Sequence, residues 1–232
     1  MDFSTEIGAS ARRPDLGRTV VGDFKTHFTV RADRTDTVTS LGDWAAAHGL
    51  RLTHTVLDRG RTPCRPILTL YGRGTLGRQR SDAGQCAERL ARAGFAVVRT
   101  KIEAAPWNDG VPGTDAEAAA FPAHCHFEHH ITLRLRIPYD TQRLAAVAER
   151  HLAHVSRNAR QALSGGVQER SVTQRARRVG RPAARARLDA LLDALVPAGF
   201  QPVDVDEEFV LHDDNPALDS GWAEESVERS DG

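Results

Sequence analysis

The 232-residue chain has little cysteine and no long apolar run. Its three cysteines, Cys64, Cys86 and Cys125, show no CxxC spacing and form an odd set, which favours reduced thiols over a disulfide framework. No stretch approaches the roughly 20 apolar residues of a membrane helix, and residues 1–22 hold no apolar run of signal-peptide length. We therefore expect a soluble, cytoplasmic protein with no membrane partner.

An excess of one charge is also missing, because Lys+Arg and Asp+Glu number 31 each. This balance gives the chain no overall attraction to nucleic acid, which is not expected as a partner. Lysine is scarce as well: nearly every basic residue is arginine, and the only lysines are Lys25 and Lys101. A lysine kept in so arginine-rich a sequence is a candidate for a compact or titratable charge, which arginine cannot supply.

What the sequence does contain is an internal repeat. The segment THFTVR at residues 26–31 aligns with HHITLR at residues 129–134. At nearly the same offset, WAAAH ending at His48 aligns with VAERH ending at His151, and LARAGF at 90–95 aligns with LVPAGF at 195–200. The offset drifts by only a few residues, as loop insertions would cause, so the chain contains two copies of one unit.

Each copy has the hydrophobic pattern of a β-α-β-β-α-β unit. In the first copy the alternating strand HFTVRA precedes a helix from Thr37 to His48 and two strand-like runs, LRLTHTVL and RPILTLY. A helix from Leu76 to Ala93 and the strand FAVVRTKIE complete the copy. That order is the ferredoxin-like unit, whose helices cover one face of an antiparallel sheet and leave the other face open.

We therefore predict an α+β fold made of tandem duplicated ferredoxin-like (βαββαβ) units with antiparallel sheets. The units are expected at residues 21–105 and 124–212, joined by a Pro-, Gly- and Ala-rich linker at 106–123. Residues 1–20 are expected to form a disordered arm, and residues 213–232 a poorly ordered acidic tail. Besides solubilising the chain, such a tail has a second candidate role, which is to cover a basic site in the absence of ligand.

Polar side chains lie in matching order on the first strand of each copy. Because side chains alternate along a strand, His27 and Thr29 share the open face in the first copy, as His130 and Thr132 do in the second. If the two open faces look at each other, the cleft between them suits an anionic small molecule that carries a phosphate or carboxylate. The candidate substrate-binding residues are Thr29, Arg31, Arg59, Thr69, Lys101, Thr132, Arg134, Arg157 and Thr173.

The segments HFTV and HITL resemble the signature of the two-histidine phosphoesterases, in which duplicated lobes each contribute an H-x-T/S-hydrophobic strand to a central cleft. The resemblance implies that His27 and His130 act as general base and general acid on a phosphodiester, while Thr29 and Thr132 hold the phosphate. Imidazole suits both roles because it titrates near neutral pH. This interpretation needs no cofactor.

A divalent metal ion is the first alternative. In a ferredoxin-like sheet the last strand pairs with the first, which brings Glu103 near His27 and Glu208 near His130. A histidine on the first strand and a carboxylate on the last strand resemble the ligand plan of the vicinal-oxygen-chelate metalloenzymes. Those four residues would then hold Zn²⁺, Fe²⁺ or Mn²⁺. The run HCHFEHH at residues 124–130 is a second metal-binding candidate.

A non-catalytic module that binds a small ligand or another protein is the second alternative, because tandem ferredoxin-like units commonly carry ligands or RNA. RNA-binding versions stack bases on exposed strand aromatics. The open faces predicted here carry almost none. Small-ligand or protein binding is therefore favoured over RNA binding within this class.

Overall fold

The computed structural model describes residues 20–32, 35–57, 64–163 and 166–219. Eight strands and five helices follow one another in these ranges, and they repeat the predicted β-α-β-β-α-β unit twice. The elements are β1 (Val21–Val30), α1 (Thr35–Ala47), β2 (Arg51–Leu57), β3 (Cys64–Thr75), α2 (Leu76–Arg92), β4 (Val97–Ala104), α3 (Asp115–Ala120), β5 (His126–Arg136), α4 (Thr141–Arg150), β6 (Ala153–Leu163), β7 (Val167–Arg177), α5 (Arg181–Leu195), β8 (Pro202–Asp213) and a 3-10 helix (Pro216–Asp219). Within the described ranges, none of the helices is long and apolar enough to cross a membrane.

The strand order of each unit is ferredoxin-like. In the first unit β1 pairs with both β3 and β4, and β2 pairs with β3, which gives the order β4-β1-β3-β2. The second unit has the equivalent order β8-β5-β7-β6. All of these pairings are antiparallel, so the predicted fold class is confirmed.

The two sheets join into one closed barrel instead of facing each other as separate layers. Strand β2 pairs with β6, and β4 pairs with β8, both antiparallel. Closure gives the outermost strands of each unit a hydrogen-bonding partner, whereas an open sheet leaves such edges exposed. The cleft that the sequence predicts between two sheets is therefore the interior of a barrel.

The apolar cores lie outside this barrel, between its outer surface and the helices. One core cluster includes Phe28 and Leu41, and the other includes Ile131 and Leu188; all four side chains are fully buried. Since neighbouring residues on a strand point to opposite faces, Phe28 packs outward and His27 points inward. The barrel interior is therefore left to the polar residues of each strand.

The predicted linker is partly ordered as α3. Thr114 and Glu117 form a capping box at its first turn, which satisfies backbone N–H groups that a helix start leaves without a partner. The N–H of Gly180, which caps α5, donates to Asp115 Oδ1 at 2.7 Å. The start of α3 is thereby held against the second unit.

The start of the acidic tail is also fixed, and the expectation of poor order from residue 213 is wrong as far as Asp219. Strand β8 extends to Asp213, and the next residues bind β4. Asp214 Oδ1 accepts from the N–H of Thr100 at 2.7 Å, and Asn215 Nδ2 donates to the carbonyl of Val98 at 2.9 Å. These bonds order the segment because its acidic and amide side chains replace a strand partner at the start of β4. Residues 220–232 lie outside the described ranges.

Candidate functional site

The barrel contains a cavity of about 570 Å³ lined mainly by polar and charged residues. Among the described residues that line it are two histidines, seven acidic and seven basic residues, so the formal charges of these acids and bases balance. The acidic residues are Glu103, Glu128, Glu169, Asp204, Asp206, Glu208 and Asp219; the basic residues are Lys25, Arg51, Arg99, Lys101, Arg134, Arg170 and Arg175. Both lysines of the chain lie here.

Most of the residues that the sequence singles out line this cavity. His27 pairs across the strands with Lys101 and Thr69, and His130 pairs with Asp206 and Thr173. The inward-facing set is the one that strand alternation predicts. The predicted residues along the cavity are His27, Thr29, Thr69, Lys101, His130, Thr132, Arg134 and Thr173.

Of the other three predicted arginines, one lies away from the cavity, and the side chains of two are not described. Arg31 follows the last residue of β1, is exposed, and is not among the residues that line the cavity. Arg59 lies outside the described residues, and so does the side chain of Arg157, whose backbone belongs to β6. Arg134 lines the cavity, and its Nε donates to Glu169 Oε1 at 3.0 Å.

A threonine hydroxyl holds each of the two histidines. His27 Nδ1 lies 2.9 Å from Thr69 Oγ1, and His130 Nδ1 lies 3.1 Å from Thr173 Oγ1. Thr69 and Thr173 occupy equivalent positions on the third strand of each unit. A hydrogen bond at one ring nitrogen fixes the orientation of the imidazole, so both rings turn Nε2 toward carboxylates inside the barrel.

Three buried carboxylates meet these Nε2 atoms. His27 Nε2 is 2.8 Å from Glu103 Oε2, whereas His130 Nε2 is 3.5 Å from Glu128 Oε2 and 3.6 Å from Glu208 Oε2. The ligand atoms of His27, Glu103 and Glu208 lie within 4.8 Å of one another, and so do those of Glu103, Glu128 and His130. We call these five residues the His–Glu cluster; Glu103 belongs to both of its halves.

Several carboxylate oxygens of the cluster lack a well-directed hydrogen bond. Both oxygens of Glu103 and the Oε2 atom of Glu208 are buried without one. Their cationic neighbours are in ion-pair contact: Lys101 Nζ lies 2.5 Å from Glu103 Oε1, and Lys25 Nζ lies 2.6 Å from Glu208 Oε1. A buried carboxylate oxygen with no hydrogen bond is costly unless a cation satisfies it, so the cluster is suited to a bound positive ion.

The carboxyls of Glu103 and Glu208 are shifted in opposite directions. Burial alone would raise the pKa of Glu103, but the charges of Lys101 and His27 outweigh it and hold this pKa well below its usual range. Burial, together with the negative charge of Glu103, raises the pKa of Glu208 well above its usual range. Two neighbouring carboxyls with diverging pKa values are typical of functional sites, where one is ionised while the other keeps its proton.

Both lysines bind carboxylates of the second unit. Lys25 pairs with Asp206 and Glu208, and Lys101 pairs with Glu103 and Glu128. Burial alone would lower the pKa of each lysine, but these carboxylates outweigh it and raise both values above the usual range. The lysines are therefore cations near neutral pH and cannot serve as bases or neutral nucleophiles there.

The run HCHFEHH does not act as one cluster. Glu128 and His130 line the cavity, but His129 points to the other side of β5, where its Nδ1 lies 3.0 Å from Gln174 Oε1. His126 Nε2 is 3.9 Å from Glu128 Oε1 and has no hydrogen-bond partner. Only the two cavity residues of the run thus belong to the His–Glu cluster.

Arg99 and Asp219 are among the cavity residues that the sequence analysis missed. Arg99 precedes Lys101 by two positions on β4, so strand alternation alone places it on the inner face. Asp219 lies in the tail beyond the last strand, and no local pattern indicates that its side chain enters the barrel. Its placement depends on tertiary contacts with Arg99 and Arg175.

Comparison with known proteins does not identify a family for this chain. No protein-family model matches the chain, and no curated protein matches it significantly. Among solved structures, the acetolactate synthase small subunit from Thermotoga maritima matches at 12% identity and a TM-score of 0.31, over 82% of this chain and 95% of that one. A protein from Bacteroides thetaiotaomicron matches at 12% identity and 0.29, over 81% and 94%. A candidate chlorite dismutase matches at 12% identity and 0.26, over 82% and 95%. Likenesses at these TM-scores carry no information about a ligand or a reaction of this chain.

Proposed function

We propose that this protein is an enzyme that uses a divalent metal ion, held by the His–Glu cluster, to act on an anionic small molecule inside the barrel. The observation that carries the proposal is a pair of overlapping groups, each made of one imidazole and two buried carboxylates whose ligand atoms lie within 4.8 Å of one another. Glu103 and Glu208 are also buried, at 1% and 4% exposure, and buried carboxylates are stabilised by a nearby cation.

The donor set fits Zn²⁺, Mn²⁺ or Fe²⁺, which accept imidazole nitrogen together with carboxylate oxygen. Thr69 and Thr173 supply the outer hydrogen bonds that metal-binding histidines usually have. Because Glu103 belongs to both halves of the cluster, it is the residue on which metal binding depends most. When bound, such an ion supplies a Lewis acid that polarises a substrate oxygen or activates water.

The lysines have a separate role in this proposal. Lys25 and Lys101 offset part of the negative charge that three glutamates bring into the barrel. As cations inside the barrel they also provide N–H donors close to the His–Glu cluster, where a substrate anion would gather negative charge during the reaction. They bind and orient the substrate and take no proton from it.

Metal-free acid–base catalysis by His27 and His130 is the second candidate, in the manner of the two-histidine phosphoesterases that the sequence resembles. The observation that favours it is the pair of carboxyls with opposite pKa shifts beside two oriented imidazoles. Together these groups could donate and accept protons at one substrate.

Metal analysis separates the two candidates. Protein stripped with EDTA, loaded in turn with Zn²⁺, Mn²⁺ and Fe²⁺ and desalted, is expected to retain at least one ion per chain by mass spectrometry. His27→Ala and Glu103→Gln should lose that ion, whereas His48→Ala, which removes an exposed histidine after α1, should retain it.

The same preparations are then assayed against 2′,3′-cyclic nucleotides and other phosphodiesters. Turnover by metal-free protein, abolished in His27→Ala and His130→Ala, would establish the second candidate in place of the first. A protein that binds no ion and turns over no phosphodiester would contradict both.

A further inference from the structure

A carboxylate from the tail enters the cavity and is clamped by two arginines. Asp219, at the end of the 3-10 helix, is only 5% exposed. Its Oδ1 accepts from Arg99 Nη1 at 3.0 Å, and its Oδ2 accepts from Arg99 Nη2 at 3.1 Å and from Arg175 Nη2 at 2.5 Å. Both oxygens are thus bound, by one arginine from β4 and one from β7.

The clamp is continuous with the His–Glu cluster. Arg175 Nε donates to Glu128 Oε1 at 2.7 Å, so one guanidinium bridges Asp219 and a proposed metal ligand. Arg99 is anchored from its other side by Asp213, with Nε donating to Oδ1 at 2.8 Å. Glu128 and Asp213 therefore give each arginine of the clamp a second carboxylate partner besides Asp219.

Asp219 differs from the other acidic residues of the cavity in where it comes from. The other six belong to strands of the barrel wall, whereas Asp219 belongs to a short segment that follows the last strand. Its withdrawal would leave six acidic and seven basic residues among the described residues along the cavity, one more basic than acidic. A free anion entering the barrel would restore the balance.

We propose that Arg99 and Arg175 form a subsite for a carboxylate group of the substrate, and that Asp219 occupies this subsite until the substrate displaces it. Two guanidinium groups on the two oxygens of one planar group are the geometry in which arginine recognises carboxylates. The substrate is therefore a small organic acid whose other end reaches the His–Glu cluster. That this acid is the substrate rests on the proposed metal-dependent function; the subsite itself does not.

Binding of succinate to metal-free protein tests the subsite without involving the metal. The arginine Nε–H signals of ¹⁵N-labelled protein are followed while succinate is added to the wild type, Asp219→Ala and Asp219→Ala/Arg175→Ala. We expect Asp219→Ala to bind succinate about tenfold more tightly than the wild type, because a tethered competitor at millimolar effective concentration has been removed. The double variant should lose this gain.

Asp193→Ala is the matched control, since it removes the same charge from an exposed position on α5. It should bind succinate as the wild type does. Equal affinity of Asp219→Ala and the wild type would overturn the proposal, and so would undiminished binding by the double variant. Tighter binding of inorganic phosphate than of succinate by Asp219→Ala would overturn the assignment to a carboxylate.

Thermal unfolding of Asp219→Ala and of the isosteric Asp219→Asn shows whether Asp219 only occupies the subsite or also stabilises the fold. If Asp219 only occupies the subsite, both variants should melt close to the melting temperature of the wild type. If both variants fail to fold, or melt far below the wild type, Asp219 is structural and the proposal is overturned. If Asp219→Ala gains succinate affinity as expected but the protein retains no ion in the metal analysis, the metal-dependent function is refuted and the subsite stands. Metal retention without a gain in succinate binding would do the reverse.

Discussion

Lys25 and Glu128 occupy equivalent positions in the two units but carry opposite charges. Each lies two residues before the cavity histidine of its first strand, and each pairs across the sheet with the cluster glutamate of its last strand, Lys25 with Glu103 and Glu128 with Glu208. The same reversal relates Lys101, beside His27, to Asp206, beside His130. The ion pairs Lys25–Asp206 and Lys101–Glu128 are therefore counterparts with their charges exchanged.

Reversing both charges of one of these ion pairs should restore the stability that is lost when only one charge is reversed. Lys25→Glu places a third carboxylate beside Asp206 and Glu208, and we expect it to lower the free energy of unfolding by about 2 kcal/mol; the loss is limited because Asp206 is half exposed. Lys25→Glu/Asp206→Lys should recover at least half of that loss. Urea unfolding of the wild type, both single variants and the double variant gives the coupling energy directly.

Arg185→Glu provides the control for this cycle, because Arg185 pairs with Asp189 and Glu207 on the surface. It should cost less than about 1 kcal/mol. A double variant no more stable than Lys25→Glu would show that Lys25 does not depend on Asp206.

The threonines that orient the histidines should control metal affinity. Thr69→Val/Thr173→Val removes both Nδ1 contacts while it keeps the side-chain volume, so the rings are no longer fixed toward the cluster. Loss of such outer hydrogen bonds usually weakens metal binding by about 10- to 100-fold. Competition with a chromophoric chelator measures the affinity.

Thr132→Val is the matched control for the threonine variants, since Thr132 lines the same cavity on β5. Its metal affinity should stay within about threefold of the wild type, well short of the loss expected for an outer hydrogen bond. An equal loss in this control would mean that the cavity tolerates no apolar substitution. The specific role of Thr69 and Thr173 would then be refuted.

The close contact between the linker and α5 should make Gly180 sensitive to substitution. A Cβ at Gly180 would lie 2.6 Å from the backbone of Thr114, so Gly180→Ala must displace the start of α3. We expect a loss of about 1–3 kcal/mol in the free energy of unfolding, as for other overpacked sites. Gly84→Ala, in the exposed interior of α2 where a Cβ meets nothing within 4 Å, should instead stabilise the protein by about 0.5–1 kcal/mol. Chemical unfolding of both variants checks the contrast, which a stable Gly180→Ala would contradict.

His212 should make the protein less stable in acid. Burial, followed by the charge of Arg80, lowers the pKa of His212, while Asp214 and Asp213 act in the opposite direction and His124 lowers it further. The unfolded chain therefore binds this proton first, so the contribution to stability is complete above the unfolded pKa of about 6.5 and is lost as pH falls below it.

The urea midpoint should accordingly decrease from pH 7.5 to pH 5.5, and it should decrease less in His212→Gln. His48→Gln, at an exposed site, should keep the full decrease. An unchanged pH dependence in His212→Gln would show that other groups account for the acid sensitivity, among them His126 and His129, whose pKa values burial also lowers.

Local patterns in the sequence predicted the units and the direction of each strand side chain, because both follow from short-range periodicity. His27 and His130 face one interior for this reason. Closure of the barrel depends on pairing between β2 and β6, which are about one hundred residues apart and carry no local signal for each other. The choice of ion partners is equally non-local: Lys25 lies opposite Glu103 in register, yet binds Asp206 and Glu208.

Because the two units are joined in one chain, equivalent positions on the two sides of the barrel need not carry the same residue. Two separate copies of a single unit, related by a two-fold axis, would carry the same residue at every pair of equivalent positions. Here one chain supplies both halves, so the ammonium group of Lys25 on one side corresponds to the carboxylate of Glu128 on the other. The two sides of the barrel interior thus differ in charge. A bound molecule with two different ends would therefore contact a different set of side chains at each end.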